Sequence, residues 1–328
     1  MRTKPRDWVK TGPCAFCGGD NSEPLYPARD IYGSDYTLRA CRDCRARFLA
    51  PSPGEEALRR AYGNEYYGEK ENKFRSSLLE RLLDSSRLLR ARRVSRHLKD
   101  GDRVLDVGCG NGRFLRYLLR YGKYDLFGTE LEGASARRAA AIPQIHLSIG
   151  ELREDQYPPK SFSAITMFHV FEHLRQPRRM LEIVSRLLKP GGVLVLSFPN
   201  IDSFQARLFK GNWFHMDPPR HLFFFRPRDL ADLLRKQGFE LIRRKFFSPE
   251  QNPFGMAQSI LNCLCGRREV LYERLKGNAQ YGPEYSRAMI FLFKAFCAVT
   301  APACMGLDGV ESLMGKAATV ELTFRRVR

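Results

Sequence analysis

Acidic residues are scarce in this 328-residue chain: 36 Asp and Glu stand against 55 Lys and Arg, a formal net charge of +19. The surplus runs through the whole length rather than sitting in one tail. An even positive surface attracts anionic partners, whether nucleic acid, lipid head groups or a phosphorylated substrate, and it also serves plain solubility. Internal repeats and low-complexity tracts are lacking, and so is a clean run of about 20 apolar residues of the kind that crosses a bilayer. The opening MRTKPRDWVKTGPC is basic and polar with no apolar run behind it, unlike a secretory leader. The expected location is therefore the cytoplasm, with peripheral contact at the inner face of the membrane as a variant. What the chain does hold, 43% hydrophobic and 12% aromatic residues, is enough for one large domain with additions or for two smaller ones.

The nine cysteines do not read as a disulfide framework. Four fall in two tight pairs, Cys14-Ala-Phe-Cys17 and Cys41-Arg-Asp-Cys44, each able to wrap one edge of a tetrahedral ion. A structural Zn²⁺ held by four thiolates is the expectation, with a redox dithiol or an iron centre as alternatives. Arg45 stands where the knuckle of a zinc ribbon often has glycine. Residues 1–50 would form the ribbon, too small to be secure on its core alone.

Residues 51–99 read as a helical linker. A Pro-led turn, a short helix and a tyrosine-rich loop precede a longer helix at 74–98, where leucines 78, 79, 82, 83, 88, 89 and 98 recur at helical spacing. Arginines take its other face, expected to be solvated. Then DRVLDVGCGNGRFLRYLL gives a buried strand, Val104 to Val107, a turn with Gly108, Gly110 and Gly112, and a helix from about Arg113. Glycines there let the backbone turn tightly and approach a ligand. The next strand ends in Glu130, where a carboxylate can accept both ribose hydroxyls of an adenosyl group. Turns of this kind also serve nicotinamide and flavin, so they do not choose the cofactor. Further strands are expected at Ser163 to Phe168, Val193 to Phe198 after a Lys-Pro-Gly-Gly turn, 239–247 and 318–328, the last antiparallel.

The stretch FHVFEHL contains the H-x-x-E-H spacing of an inverted zinc protease, His169 to His173. Two histidines four apart share a face of any helix, so the surroundings must decide. VLDVGCGNG, FHVFEHL, LLKPGG and FPN, in this order, resemble the class I S-adenosylmethionine (SAM) dependent methyltransferases over about residues 100–247. The flanks CRDCRARFLAPSPGEEALRRAYGNEYY and WFHMDPPRHLFFFRPRDLADLLRKQGFEL resemble the subgroup with an N-terminal zinc ribbon.

The resemblance implies an α/β, Rossmann-like sheet of seven strands, with the ribbon before it. Residues 100–247 and 318–328 would make the SAM-binding core, and residues 248–317 a helical insertion before the last strand. It implies that Asp106, Gly108, Gly110 and Gly112 hold the amino-acid end of SAM, that Glu130 holds the ribose, and that Glu151 with Leu152 lies at the adenine side. Cys109 and Phe168 would adjoin the cofactor. For Glu151, surface charge beside Glu154 and Asp155 is the competing reading. It also places His169 at the carboxyl end of the fourth strand, facing the ligand crevice, which removes the peptidase. Ubiquinone-pathway O-methyltransferases and small-RNA end methyltransferases have an acid three residues before a Glu-His pair and bind a divalent ion there; this chain has His169 instead. Three roles stay open: His169 as base or substrate contact, a catalytic metal site of His169, Glu172 and His173 completed by His221, or a plain helix start at Glu172 and His173. His215 and His221 flank a Pro-Pro turn among aromatics, as an active-site wall or as a packed lid, with His221 on the substrate side.

The insertion contains FGMAQSILNCLCG and AMIFLFKAFCAVTAPACMG, the second interrupted by Lys294 and Pro302. It reads as a cap or as an interfacial hairpin reaching lipid. Cys263, Cys265, Cys297 and Cys304 read as buried apolar thiols. The function expected is methyl transfer from SAM to a small-molecule or glycan acceptor, lipid-linked acceptors included. An RNA methyltransferase that holds RNA with ribbon and basic surface is a second reading, and a non-catalytic SAM-fold binding module a third. DNA is not an expected partner.

Overall fold

A computed structural model describes residues 13–14, 16–62, 77–278 and 281–327. The N-terminal strands β1 (Ser22–Arg29), β2 (Asp35–Cys41) and β3 (Arg47–Ala50) form an antiparallel meander. Two knuckles carry the cysteine pairs: the Gly18 N–H donates to the Cys14 carbonyl at 2.7 Å and the Arg45 N–H to that of Cys41 at 3.1 Å. Gly18 sits at φ 77° and Arg45 at φ 63°, so the arginine takes the left-handed conformation that its glycine counterpart adopts freely. The ribbon is not a separate bead. Phe48 of β3 pairs with Phe223, and Phe16 meets Phe225 edge-on at 5.2 Å, so ribbon and main domain share one core.

Helices α1 (Glu55–Ala61) and α2 (Ser77–Ser95) follow; the tyrosine-rich loop between them lies outside the described residues. The solvated arginine face expected of α2 is present only in part: Arg92 is exposed, whereas two other arginines are tied down. Arg93 grips Glu321 with two contacts of 2.8 Å, and Arg90 reaches Glu250 at 3.2 Å. Ala91 and Val94 are buried on the main domain, which carries the adjacent arginines down beside the sheet edge with them.

The main domain runs β4 (Arg103–Val107), α3 (Arg113–Leu118), β5 (Asp125–Glu130), α4 (Ala134–Ala140), β6 (Ile145–Ile149), β7 (Phe162–Phe168), α5 (Pro177–Leu187), β8 (Leu188–Pro199), α6 (Phe204–Phe209), β9 (Phe223–Phe224), α7 (Pro227–Lys236) and β10 (Phe239–Lys245). The insertion holds α8 (Asn252–Leu264), α9 (Val270–Lys276) and α10 (Arg287–Leu313), and β11 (Thr319–Arg326) closes the fold. Seven strands form one sheet in the order β10-β11-β8-β7-β4-β5-β6, with β11 antiparallel to both neighbours. This is the expected Rossmann-like sheet. Helices cover both faces, so β4 and β7 read as nearly continuous apolar runs. Strand β8 starts earlier than expected because Lys189 to Gly192 form a bulge inside it: the register jumps from Phe162 opposite Leu188 to Ala164 opposite Val193. Strand order reverses between β4 and β7, and the crevice beyond their carboxyl ends is where a ligand of such a sheet sits.

Two expectations for the insertion are corrected. Lys294 and Pro302 do not break the second apolar stretch: α10 is one helix of 27 residues, long and apolar enough to cross a membrane by length and composition. Pro302 deletes one backbone donor on an exposed side of the helix, and the turns around it continue. The four insertion cysteines are not uniformly buried either: Cys304 is, Cys265 and Cys297 are partly covered, and Cys263 is exposed at the outer side of α8.

Candidate active site

The glycine turn between β4 and α3 has Gly108, Gly110 and Gly112 all at positive φ, 68°, 58° and 72°. Their surroundings differ. A Cβ on Gly108 would strike Val170, and one on Gly112 would strike Ile145, so these two allow close packing. Around Gly110 no atom lies within 4 Å of such a Cβ, and the turn there faces open space. Glu130, at the end of β5, accepts from the Gly110 N–H at 2.6 Å and from the Leu131 N–H at 2.9 Å, one bond per carboxylate oxygen. Asp106 is buried and accepts from the Thr166 hydroxyl at 2.6 Å; burial pushes its carboxyl up to about 7. Phe168 packs edge-on against Phe114 at 4.8 Å with the Arg90 guanidinium over its ring.

Cys109 is turned away from this open side. Its N–H donates to the Thr129 carbonyl at 2.9 Å, and its thiol packs against Gly128 in the core. Leu152 is likewise a core residue, while Glu151 is exposed beside Glu154 and Asp155. The segment is tied to β5 by the Gly150 N–H, which donates to the Glu130 carbonyl at 2.8 Å.

Beyond β7 the chain does not form a long helix. His169 sits at φ 57°, its N–H donating to the Ser197 carbonyl at 2.8 Å, and a single 3₁₀ turn spans Phe171–His173. The two histidines of the H-x-x-E-H string therefore do not share a helical face. The His169 ring lies with Nδ1 3.2 Å from Glu172 Oε1, and with Nε2 3.1 Å from Ser197 Oγ and 3.0 Å from Gln251 Nε2. Nδ1 facing a carboxylate carries the proton, which leaves the Nε2 lone pair to accept from a hydroxyl or amide.

Glu172 is buried, and its Oε2 has no hydrogen-bond partner. Ligand atoms of Glu172, His173 and His221 lie within 4.8 Å of one another. The Nδ1 atoms of both histidines face backbone carbonyls, His173 at 3.0 Å from that of Arg220 and His221 at 2.8 Å from that of His215. Donation from Nδ1 leaves each Nε2 with a lone pair, the arrangement seen in metal-binding histidines; for His221 the 2.8 Å carbonyl at Nδ1 is the closer partner, with Asp217 Oδ2 3.7 Å from Nε2. Burial pushes the His173 imidazole down to about 4 and lowers that of His221, so both stay neutral. Of the three roles left open, the four-residue metal group is corrected in one member: His169 is outside the triad and instead pairs with Glu172. A plain helix-start role for Glu172 and His173 does not fit either, since no long helix begins there.

The Trp213 to Phe225 segment is a packed wall. Trp213 is fully buried, and Phe214 stacks edge-on with Phe254 and Tyr272 of the insertion. His215 is enclosed, with burial pushing it down to about 3, and belongs to the packing; His221 belongs to the triad. Ser197, Gln251 and Tyr62, whose hydroxyl lies 3.0 Å from His173 Nδ1, are site residues that sequence reasoning missed. Gln251 comes from outside every quoted motif, and Tyr62 lies in the flank RRAYGNEYY, where nothing singles it out from its neighbours.

In the ribbon the thiols of Cys14 and Cys44 are 3.7 Å apart and those of Cys17 and Cys41 3.5 Å. Four sulfurs bonded at about 2.3 Å to one tetrahedral ion stand about 3.8 Å apart, whereas a disulfide needs about 2 Å. The four cysteines form a single cluster.

The sequence of a family described as a methyltransferase domain matches residues 72–244, more than half of the chain. The chain belongs to this methyltransferase family. The ubiquinone biosynthesis O-methyltransferase of Cereibacter sphaeroides is 29% identical over 160 residues, 44% of this chain and 63% of that protein. Its namesake in Xanthomonas euvesicatoria pv. vesicatoria is 31% identical over 160 residues, 43% and 64% of the two chains. The chain thus spans a little under two thirds of the length of these relatives. Among solved structures, a putative sarcosine dimethylglycine methyltransferase from Galdieria sulphuraria superposes with TM-score 0.50 at 16% identity, over 81% of this chain and 97% of that one. A cyclopropane synthase from Mycobacterium tuberculosis does so with TM-score 0.50 at 17% identity, over 84% and 99%. These two establish the fold. The chain thus carries a methyltransferase domain, and its glycine turn leaves room for a ligand: Gly110 opens on free space beside the Glu130 carboxylate.

Proposed function

We propose that this methyltransferase methylates a hydroxyl group of a small-molecule or glycan acceptor, with His169 as general base. The observation that carries the reading is the His169 Nδ1 contact with buried Glu172, at the carboxyl end of β7 where the crevice lies. The carboxylate fixes the tautomer, so Nε2 takes the acceptor proton from the place where Ser197 Oγ and Gln251 Nε2 now stand. Bound SAM supplies a sulfonium-activated methyl group. The protein's part is to hold the acceptor oxygen in line and accept its proton. Asp106 and the turn at Gly108, Gly110 and Gly112 would face the amino-acid end of SAM, Phe168 would adjoin it, and Glu151 with Leu152 would flank the adenine. Each oxygen of Glu130 accepts one N–H and keeps a lone pair for a ribose hydroxyl. The names of the O-methyltransferase relatives support oxygen as the acceptor atom. In the ribbon, Cys14, Cys17, Cys41 and Cys44 would hold one structural Zn²⁺, for which the sulfur spacing is the support.

A second reading rests on the orphan Glu172 Oε2 and the oriented Nε2 atoms of His173 and His221: a divalent ion held by these three, polarising the acceptor hydroxyl. Transfer of labelled methyl from SAM to a panel of phenols, catechols and glycans tests both. Under the base reading, dialysis against a chelator too weak to strip the ribbon changes the rate by less than about threefold. A loss of about 100-fold, restored by Mg²⁺ or Mn²⁺, assigns the chemistry to the ion instead. Transfer to RNA alone would refute the small-molecule acceptor.

A further inference from the structure

Helix α10 is built inside out. Its most buried side chains are Cys304, Asp308 and Glu311, spaced along one face that packs on α8. Asp308 Oδ1 accepts from Asn252 Nδ2 at 2.6 Å, and Glu311 Oε2 from Gln205 Nε2 at 3.4 Å. The acids of the helix are turned inward, and its apolar residues are turned out: Phe291 is 69% exposed, Leu292 63%, Val299 79% and Leu313 92%. Among the exposed residues of α10 the charged ones are Arg287 and Lys294, both cationic. Of its most apolar 18-residue window, 6% is buried. At about 1.5 Å per residue the face extends roughly 40 Å. Helix α6 prolongs it: the Phe204 N–H donates to the Lys316 carbonyl at 3.0 Å, and Phe204 and Leu208 are themselves exposed. A water-facing helix has the opposite pattern, and a contiguous apolar surface of this size marks a contact with something apolar.

We infer that α10 lies in the interfacial layer of an anionic lipid bilayer, its apolar face among the acyl chains and its acidic face on the protein. Docking through Asp308 and Glu311 fixes the helix against the domain, so it lies along the membrane rather than through it. Charge chooses the occupant. A second copy would bring another chain of net charge +19 against cations, whereas anionic head groups complement Arg287, Lys294 and the positive charge of the chain as a whole. Lys294 is long enough to keep its ammonium at head-group level while its stem stays among apolar chains. The inference rests on the exposed faces of α10 and α6 and not on the identity of the acceptor.

The test is flotation of the full-length protein with phosphatidylcholine vesicles, with and without about a third of phosphatidylglycerol. The wild type is expected to float with the anionic vesicles and far less with the neutral ones. A Leu292→Asp, Val299→Asp double variant is expected to lose at least about tenfold in bound fraction. Both positions are exposed, so its melting temperature and SAM affinity stay those of the wild type; these readouts also keep a failure of the lipid inference distinct from a failure of the methyltransferase reading. Wild type that stays in the aqueous fraction, or a double variant that floats equally well, overturns the inference. So does a wild-type dimer in sedimentation velocity that the double variant converts to monomer without any vesicle binding, since the covering surface is then a second copy.

Discussion

Replacing His169 by alanine is expected to lower kcat by about 10²- to 10⁴-fold, the range of a positioned general base. In the base reading the imidazole removes a proton and does not bind the cofactor, so SAM affinity should change by less than about threefold. Glu172→Gln should cost less than His169→Ala at constant SAM affinity, because the amide still fills the space beside Nδ1 but no longer stabilises an imidazolium. Single-turnover rates with saturating SAM check both. A His169→Ala enzyme within about threefold of wild type would remove the base and leave the Glu172, His173 and His221 triad as the chemical centre.

The second large effect belongs to the ribbon. Cys41→Ser is expected to lower bound zinc from one ion per chain toward none and to reduce the melting temperature sharply. Structural zinc in small modules is worth on the order of 10 kcal/mol of folding free energy. The damage should spread beyond the ribbon. Phe48 pairs with Phe223, and the Leu49 N–H donates to the Leu222 carbonyl at 3.1 Å. Leu222 in turn donates its N–H to the Glu172 carbonyl at 2.7 Å, which links the cysteine knuckle to the turn at Glu172 through three contacts. Activity should therefore fall with zinc content. Elemental analysis beside differential scanning calorimetry checks this, and a zinc-free protein that keeps its melting temperature would refute a structural ion.

Much of this architecture was legible in the chain. The β4 run and its glycines specify their own local geometry, since a left-handed turn needs Gly108, Gly110 and Gly112 whatever lies around it. The cysteine pairs likewise bring their sulfurs into register through local knuckles. Contacts between distant segments were not legible. Gln251 reaches His169 from 82 residues away, and Arg93 meets Glu321 across 228. No local period encodes such pairs. Helix α10 shows a different limit: its apolar character was plain, but periodicity says only that a helix has two faces, and the buried one here is the acidic one. Cys109 fails for a similar reason, because a residue flanked by two ligand-facing glycines need not itself face the ligand.

The central claim, that SAM occupies the crevice at Gly110 and Glu130, is tested most directly by calorimetric titration of the zinc-loaded protein with SAM and with its demethylated product. Wild type is expected to bind both with micromolar affinity. Glu130→Ala should weaken binding by at least about tenfold, since a bidentate ribose contact is lost. Gly110→Ala should do the same, because its methyl group enters the open space at a strained left-handed φ. Absence of binding by the folded wild type, or variants that bind as tightly as it does, would contradict the account.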